Sequence, residues 1–196
     1  MTARSLRGVA GMAMACALVL AVTAGGAEML SGLKAAEPQP SAQQLAPGLA
    51  VGYVYGIFNH LNDFRSGKFE SGPPLPHVDY RMGAGRILTS KDQDGVGALI
   101  TGFIRFEKPG IYGFDVTSND GVRVEIGGKL LYEDATVHAD DTSDRIDVKI
   151  DQPGWYPLRI LYFEKKRTAT LVLRWVVPGD KAKLAPVPAA AFAHLK

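Results

Sequence analysis

Between residues 49 and 177 the apolar side chains recur at every second position, with almost no recurrence at the three-to-four spacing of a helix, and a period of two is the signature of β-strands. Val122, Val124 and Ile126 alternate with Arg123 and Glu125, and Ile146, Val148 and Ile150 alternate with Asp147, Lys149 and Asp151. Each reads as a strand with one face in a core and one in water. Residues 52–58 (GYVYGIF) are rich in the aromatic and β-branched types that strands favour. Residues 99–106 and 111–117 form a hairpin around Glu107-Lys108-Pro109-Gly110, and Gly127-Gly128 supplies the positive φ for a tight turn before residues 129–132. Residues 155–163 and 168–177 give two more strands, and Pro157 predicts an edge position or a bulge in the first of them. Between residues 59 and 97, prolines 73, 74 and 76 and many glycines predict a long functional loop that includes short strands at 78–82 and 86–89. The class implied is all-β: an antiparallel β-sandwich or barrel forming a single domain over residues 49–196.

The residues before this domain read differently. Arg4 and Arg7 precede an apolar run at 9–22, and small residues follow at 22–24 and 25–27, so residues 1–27 are predicted to be a signal peptide. An uncleaved membrane anchor is the alternative, although the run is shorter than the roughly 20 residues that span a bilayer. Export implies a secreted or periplasmic protein without a stable membrane span after cleavage. Residues 28–48, rich in Ala, Gln, Pro and Ser, are expected to be a flexible linker. The single cysteine, Cys16, falls inside the leader. The remaining chain has no thiol, which excludes disulfides, cysteine nucleophiles and thiolate metal sites there. The chain has 22 Lys and Arg against 20 Asp and Glu; without Arg4 and Arg7 the two signs balance at 20 each. A neutral domain has no general attraction to nucleic acid or anionic membrane, so any partner must be recognised locally.

Five stretches in order resemble the PA14 domain, named for the protective antigen of anthrax toxin. They are Gly110-Ile111-Tyr112-Gly113-Phe114, Ser118-Asn119-Asp120-Gly121, Val122 to Lys129, Gly154-Trp155-Tyr156-Pro157-Leu158-Arg159-Ile160, and Ala169 to Trp175. Pro188-Ala189-Ala190-Ala191-Phe192 is similar to the family's closing segment. The resemblance spans about residues 49–195. It implies a β-barrel or sandwich module of the kind found in toxins, adhesins and glycosidases, usually in a glycan-binding role.

In glycan-binding members two acidic residues of the corner hold a calcium ion that sugar hydroxyls also ligate, and the matching positions here are Asn119 and Asp120. The resemblance therefore implies calcium at Asn119 and Asp120. Asn in place of the first acid removes a carboxylate from a cation that takes six to eight oxygen ligands. From its residues alone, Asn119-Asp120-Gly121 reads equally as a turn, because Asn and Asp cap their own backbone and Gly accepts positive φ. Glu133, Asp134, Asp140, Asp141 and Asp144 crowd one segment beside His138. Their mutual repulsion would be relieved by a cation, and a solvated acidic loop is the other reading. Asp92-Gln93-Asp94-Gly95 has a fragment of a calcium-loop pattern without its closing Glu, and reads as solvated loop.

Sugar recognition also needs flat rings to stack on pyranose faces. Tyr80 and Tyr132, with Phe64 and Phe69, lie in or beside predicted loops and are candidates; Trp155 and Trp175 are expected in the core. Arg123, Arg159 and Arg174 are expected to cover an outer sheet face. The chain has no G-x-S-x-G and no H-E-x-x-H, and His60, His77, His138 and His194 lack ligand spacing, so intrinsic catalysis is not expected. The expectation is an exported, non-enzymatic module that binds a glycan or cell-surface polysaccharide, with calcium assisting. The alternative is a protein-interaction or scaffold module of the cell envelope, with an envelope protein as partner and neither metal nor sugar.

Overall fold

Val122, Val124 and Ile126 are fully buried while Arg123 and Glu125 reach the opposite face, so the alternation read along the chain is the alternation of two layers in space. The structure, a computed structural model, describes Met1 and residues 29–196. The expected signal peptide lies outside the described residues. Fourteen strands are formed among the described residues: β1 (Leu45–Pro47), β2 (Leu49–Tyr55), β3 (Glu70–Leu75), β4 (Asp79–Gly83), β5 (Val96–Phe106), β6 (Gly110–Asn119) and β7 (Val122–Ile126). They continue with β8 (Lys129–Asp134), β9 (Asp141–Thr142), β10 (Ile146–Ile150), β11 (Gly154–Glu164), β12 (Ala169–Val176), β13 (Ala185–Pro186) and β14 (Phe192–Leu195).

The strands make two sheets. One runs β1-β14-β5-β11-β7-β8, with β2 also on β5 and β3 on β2; the other runs β10-β6-β12-β13, with β4 on β12 and β9 on β6. Strand pairs throughout are antiparallel. The inner faces bury Tyr53, Ile100, Phe106, Phe114, Tyr156 and Leu171 among others as one continuous core, so the molecule is an antiparallel β-sandwich. Among the described residues no helix is long and apolar enough to cross a membrane.

Several expectations change. The first long strand begins at Leu49 and ends at Tyr55, and Phe58 leaves it to join a small apolar cluster with Leu61, Phe64, Leu161 and Phe163. Residues 86–89 form no strand. Pro73 and Pro74 instead lie inside β3, which pairs only with β2 and shifts register between Leu49 and Val51; an edge strand tolerates their missing N–H groups. Pro157 sits in a central strand, paired with Phe103 on one side, at the point where β7 has ended and the Gly127 N–H reaches the Pro157 carbonyl at 2.8 Å. Trp175 packs on Phe106, Tyr112 and Phe114 as expected. Trp155 does not enter the core: it lies half-exposed with the Arg105 guanidinium 5.6 Å from its ring centre.

The segment expected to be a flexible tether is bonded along the domain. Leu30 bridges Val148, with Leu30 N–H donating to Asp147 O at 2.9 Å and Lys149 N–H to Leu30 O at 2.8 Å. Lys34 N–H donates to Gly127 O at 2.9 Å and Ala36 N–H to Trp155 O at 2.8 Å. The Gln39 side chain donates to Trp155 O and accepts from Trp155 N–H, and β1 pairs with β14.

Candidate functional site

β6 ends at Asn119 in one sheet and β7 begins at Val122 in the other, so Asp120-Gly121 is a crossing between layers. Three further crossings close the same end: residues 135–140 from β8 to β9, 165–168 from β11 to β12, and 84–95 from β4 to β5. Gly121 is needed there, because a Cβ would lie 2.5 Å from the Phe163 ring and 3.1 Å from the Ala135 backbone. The Asn119–Asp120 peptide is cis.

The corner's polar groups face the neighbouring crossings. Asp120, 3% exposed, accepts the His138 backbone N–H on Oδ1 at 3.1 Å and the Lys165 backbone N–H on Oδ2 at 2.7 Å. Asn119 Nδ2 donates to Asp140 Oδ1 at 3.0 Å and to Thr168 Oγ1 at 3.1 Å, and Thr170 Oγ1 donates to Asp140 Oδ2 at 2.9 Å. From inside the sandwich Tyr162 donates its hydroxyl to Asn119 O at 2.6 Å. One corner thus ties three connections together through charge-assisted bonds.

Beside it Glu164 is fully buried; its Oε2 accepts the Gly95 N–H at 3.1 Å and its Oε1 has no partner. Burial first, then the Asp94 charge and the Asp120 charge, raise its carboxyl to about 7 against the opposing Gly95 bond. Asp94 in turn accepts the Arg167 backbone N–H at 2.6 Å, so the 92–95 stretch is wired to the corner and is not a free loop. The Tyr162 hydroxyl is pushed well above its ordinary value by burial, reinforced by the charges of Glu164, Asp120 and Asp140.

Of the residues singled out from sequence, Asn119, Asp120, Asp134, His138 and Asp140 come together: His138 Nε2 is buried 3.5 Å from Asp134 Oδ2. Asp141 lies alongside, on β9 opposite Ser118, exposed and bonded to its neighbour Thr142. Tyr132 flanks the group, its hydroxyl raised by burial and then by Asp134, Asp141 and Asp144. Tyr80 does not join them; it stacks near His77, ring centres 4.8 Å apart, on β4. Phe64 is buried in the small cluster, so its ring is not free to stack on a sugar, and Phe69 packs on that cluster half-buried, away from the corner. Arg123, Arg159 and Arg174 do line outer faces, paired with Glu125 and Glu133, with Glu125, and with Asp115. Glu164, Thr168, Thr170 and Tyr162 escaped sequence reading: their partners lie 30 to 69 positions away, and a strand-end Glu before three basic residues reads as a turn.

The residues do not fit a calcium ion as they stand. Both oxygens of Asp120 and both of Asp140 accept hydrogen bonds from the protein, and Asn119 turns its N–H side to Asp140, which leaves Asn119 Oδ1 as the unbonded oxygen of this set. Calcium takes six to eight oxygens, and among the described residues no three Asp, Glu or His side chains are grouped to hold an ion.

The family model described as PA14 domain matches residues 47–187. The PA14 domain of the antifreeze protein MpAFP is similar over 81% of this chain and 96% of that one, at 17% identity and a TM-score of 0.63. A PA14 sugar-binding domain from an RTX adhesin is similar over 76% of this chain and 99% of that one, at 14% identity and a TM-score of 0.61. The A domain of epithelial adhesin 9 from Candida glabrata, in complex with Galb1-3GlcNAc, is similar over 85% and 96% at 11% identity, with a TM-score of 0.66. At these identities the likeness is one of fold. No curated protein sequence matches the chain.

Proposed function

This chain belongs to the PA14 domain family, and from that premise we propose that it is an exported, non-enzymatic module that binds carbohydrate at the Asn119–Asp120 end of the sandwich. The observation that carries the reading is the convergence of the 84–95, 120–121, 135–140 and 165–168 crossings on buried, hydrogen-bonded acceptors at one end. Binding sites gather where loops are held by a rigid scaffold. Support comes from the fold likeness to a domain described as sugar-binding and to an adhesin domain in complex with a disaccharide. The leader-like residues 1–27 support export.

In this reading Asn119 Oδ1, the Thr168 hydroxyl and the rim carboxylate Asp134 pair with sugar hydroxyls, while Asp140 orients the Asn119 amide and Asp120 holds the two flanking connections through their backbone N–H groups. The corner is closed by hydrogen bonds and does not depend on calcium. A saccharide array probed with the full chain tests it: binding is expected with and without chelator, and Asp120→Ala is expected to abolish it. A chain that binds no saccharide in either condition, yet captures an envelope protein equally well as wild type and as Asp120→Ala, would instead be a scaffold module.

A further inference from the structure

We propose that the cleft between β2, β3 and the 84–95 crossing binds an anionic pyranose, the hexuronate unit of an acidic polysaccharide. The proposal rests on the carbohydrate reading and adds a ligand class and a second place of contact. The cleft has a volume of about 420 Å³ and is lined by Tyr55, Glu70, Ser71, Arg86, Ser90 and Lys91 among others, within the range of small-molecule sites.

Its wall is held in place by the protein itself. Thr89 Oγ1 donates its one proton to Pro73 O at 2.6 Å. The Tyr53 hydroxyl therefore donates to Thr89 Oγ1 at 2.7 Å while accepting the Thr89 N–H at 3.0 Å. Ser90 Oγ donates to Asp92 O at 3.0 Å. A crossing that would otherwise be a free loop is pinned to both strands beneath it, so the cleft exists before any ligand arrives.

Its lining matches a charged sugar. Lys91 Nζ stands 4.1 Å from the Tyr55 ring centre and 3.6 Å from Glu70 Oε2, with the Lys91 and Glu70 side chains 63% and 69% exposed. An ion pair so exposed is weak and easily exchanged. Arg86 is exposed and makes neither an ion pair nor a hydrogen bond among the described residues. Two cations thus face one acid beside an aromatic ring. A carboxylate draws Lys91 off the ring and takes the guanidinium fork of Arg86, and the vacated Tyr55 face receives the apolar side of the pyranose.

Tyr55 pairs with Val96 and Val96 with Glu164. Cleft and corner therefore share one end of the sandwich, two strand spacings or roughly 10 Å apart, so adjoining units of one polysaccharide can reach both.

Calorimetry of the full chain with oligogalacturonate, its methyl ester, a neutral galacto-oligosaccharide and inorganic sulfate tests the proposal. The acid is expected to bind at least about tenfold more tightly than its ester, with the preference falling in high salt and lost in Arg86→Ala and in Lys91→Ala. Both variants are surface changes, and their melting temperatures are expected to match wild type. Equal affinity for acid and ester, acid binding unchanged in Arg86→Ala, or displacement of the acid by equimolar sulfate would each overturn the cleft. If the neutral saccharide still binds and is lost in Asp120→Ala, the carbohydrate reading survives that result; if no saccharide binds at all, both fail.

Discussion

At the end of the sandwich that carries the 107–109 turn, Phe106, Tyr112, Phe114, Tyr156 and Trp175 pack ring against ring, with centres 4.8 to 6.5 Å apart. The polar tips of Tyr112 and Tyr156 reach the carbonyls of Lys108 and Gln152. At the other end the buried groups are polar: Ser118, Asn119, Asp120, Glu164 and Thr170 are all less than a tenth exposed. The two ends solve the same closure problem with opposite chemistry. Buried rings stabilise by removing apolar surface from water. Buried carboxylates cost free energy unless every acceptor is satisfied, and Glu164 Oε1 is not. An end built at that cost, when the aromatic solution is available in the same chain, is the end where recognition is to be sought.

The contrast can be broken at its strongest point first. Phe106→Ala is expected to cost about 3 to 5 kcal/mol, lowering the melting temperature by roughly 6 to 20 °C, while the protein that remains folded binds saccharide as wild type does. Asp120→Ala removes the acceptor of two backbone N–H groups and is expected to cost less, about 1.5 to 3 kcal/mol, yet to remove binding. A larger melting shift for Asp120→Ala than for Phe106→Ala would invert the assignment of the two ends.

Acidity sharpens the comparison further, since burial raises the Tyr112 and Tyr156 hydroxyls of the aromatic end above their ordinary value, away from neutral pH. Glu164 has its proton held more tightly folded, at about 7, than at its ordinary 4.5. The folded state is therefore favoured below pH 4.5 and progressively loses that advantage as pH rises toward 7, by at most about 3 kcal/mol. Denaturant melts across pH 4.5 to 8 should show this slope, and Glu164→Gln should flatten it. The smallest expected effect is that of calcium: a ligand that binds only the folded state raises its stability, so melting temperatures with millimolar calcium and with chelator are expected to agree within about 1 °C.

How far the sequence carried differs between these same regions. Strands such as β7 and β10 were legible because every second side chain faces the core, a local property that neighbours in sequence reveal. The corner was legible through the order of motifs that resemble the PA14 domain. Its wiring was not: Asn119 to Thr168, Asp120 to Lys165 and Glu164 to Gly95 span 45 to 69 positions, and which hydroxyl or N–H fills a buried acceptor is decided by sheet topology. Pro157 misled because a proline's tolerance depends on where the neighbouring strand stops, and Trp155 because its ring lies outside the core against Arg105, a cross-strand neighbour 50 positions away. Residues 30–47 have a linker's composition, yet they bond mainly through backbone groups, which composition does not describe.

That strap matters for anyone trimming the protein at its N-terminal side. β1 covers the free edge of β14 through Leu45, Ala46 and Pro47, and residues 30–36 occupy the outward carbonyls of Gly127, Asp147 and Trp155. A chain started at residue 48 would lose Leu30, Leu33 and Ala35 from the margin of its core and present an open, unguarded strand edge, and such edges recruit their own kind into ladders. Self-association of that shortened protein would report the loss of its hem and not a natural oligomer.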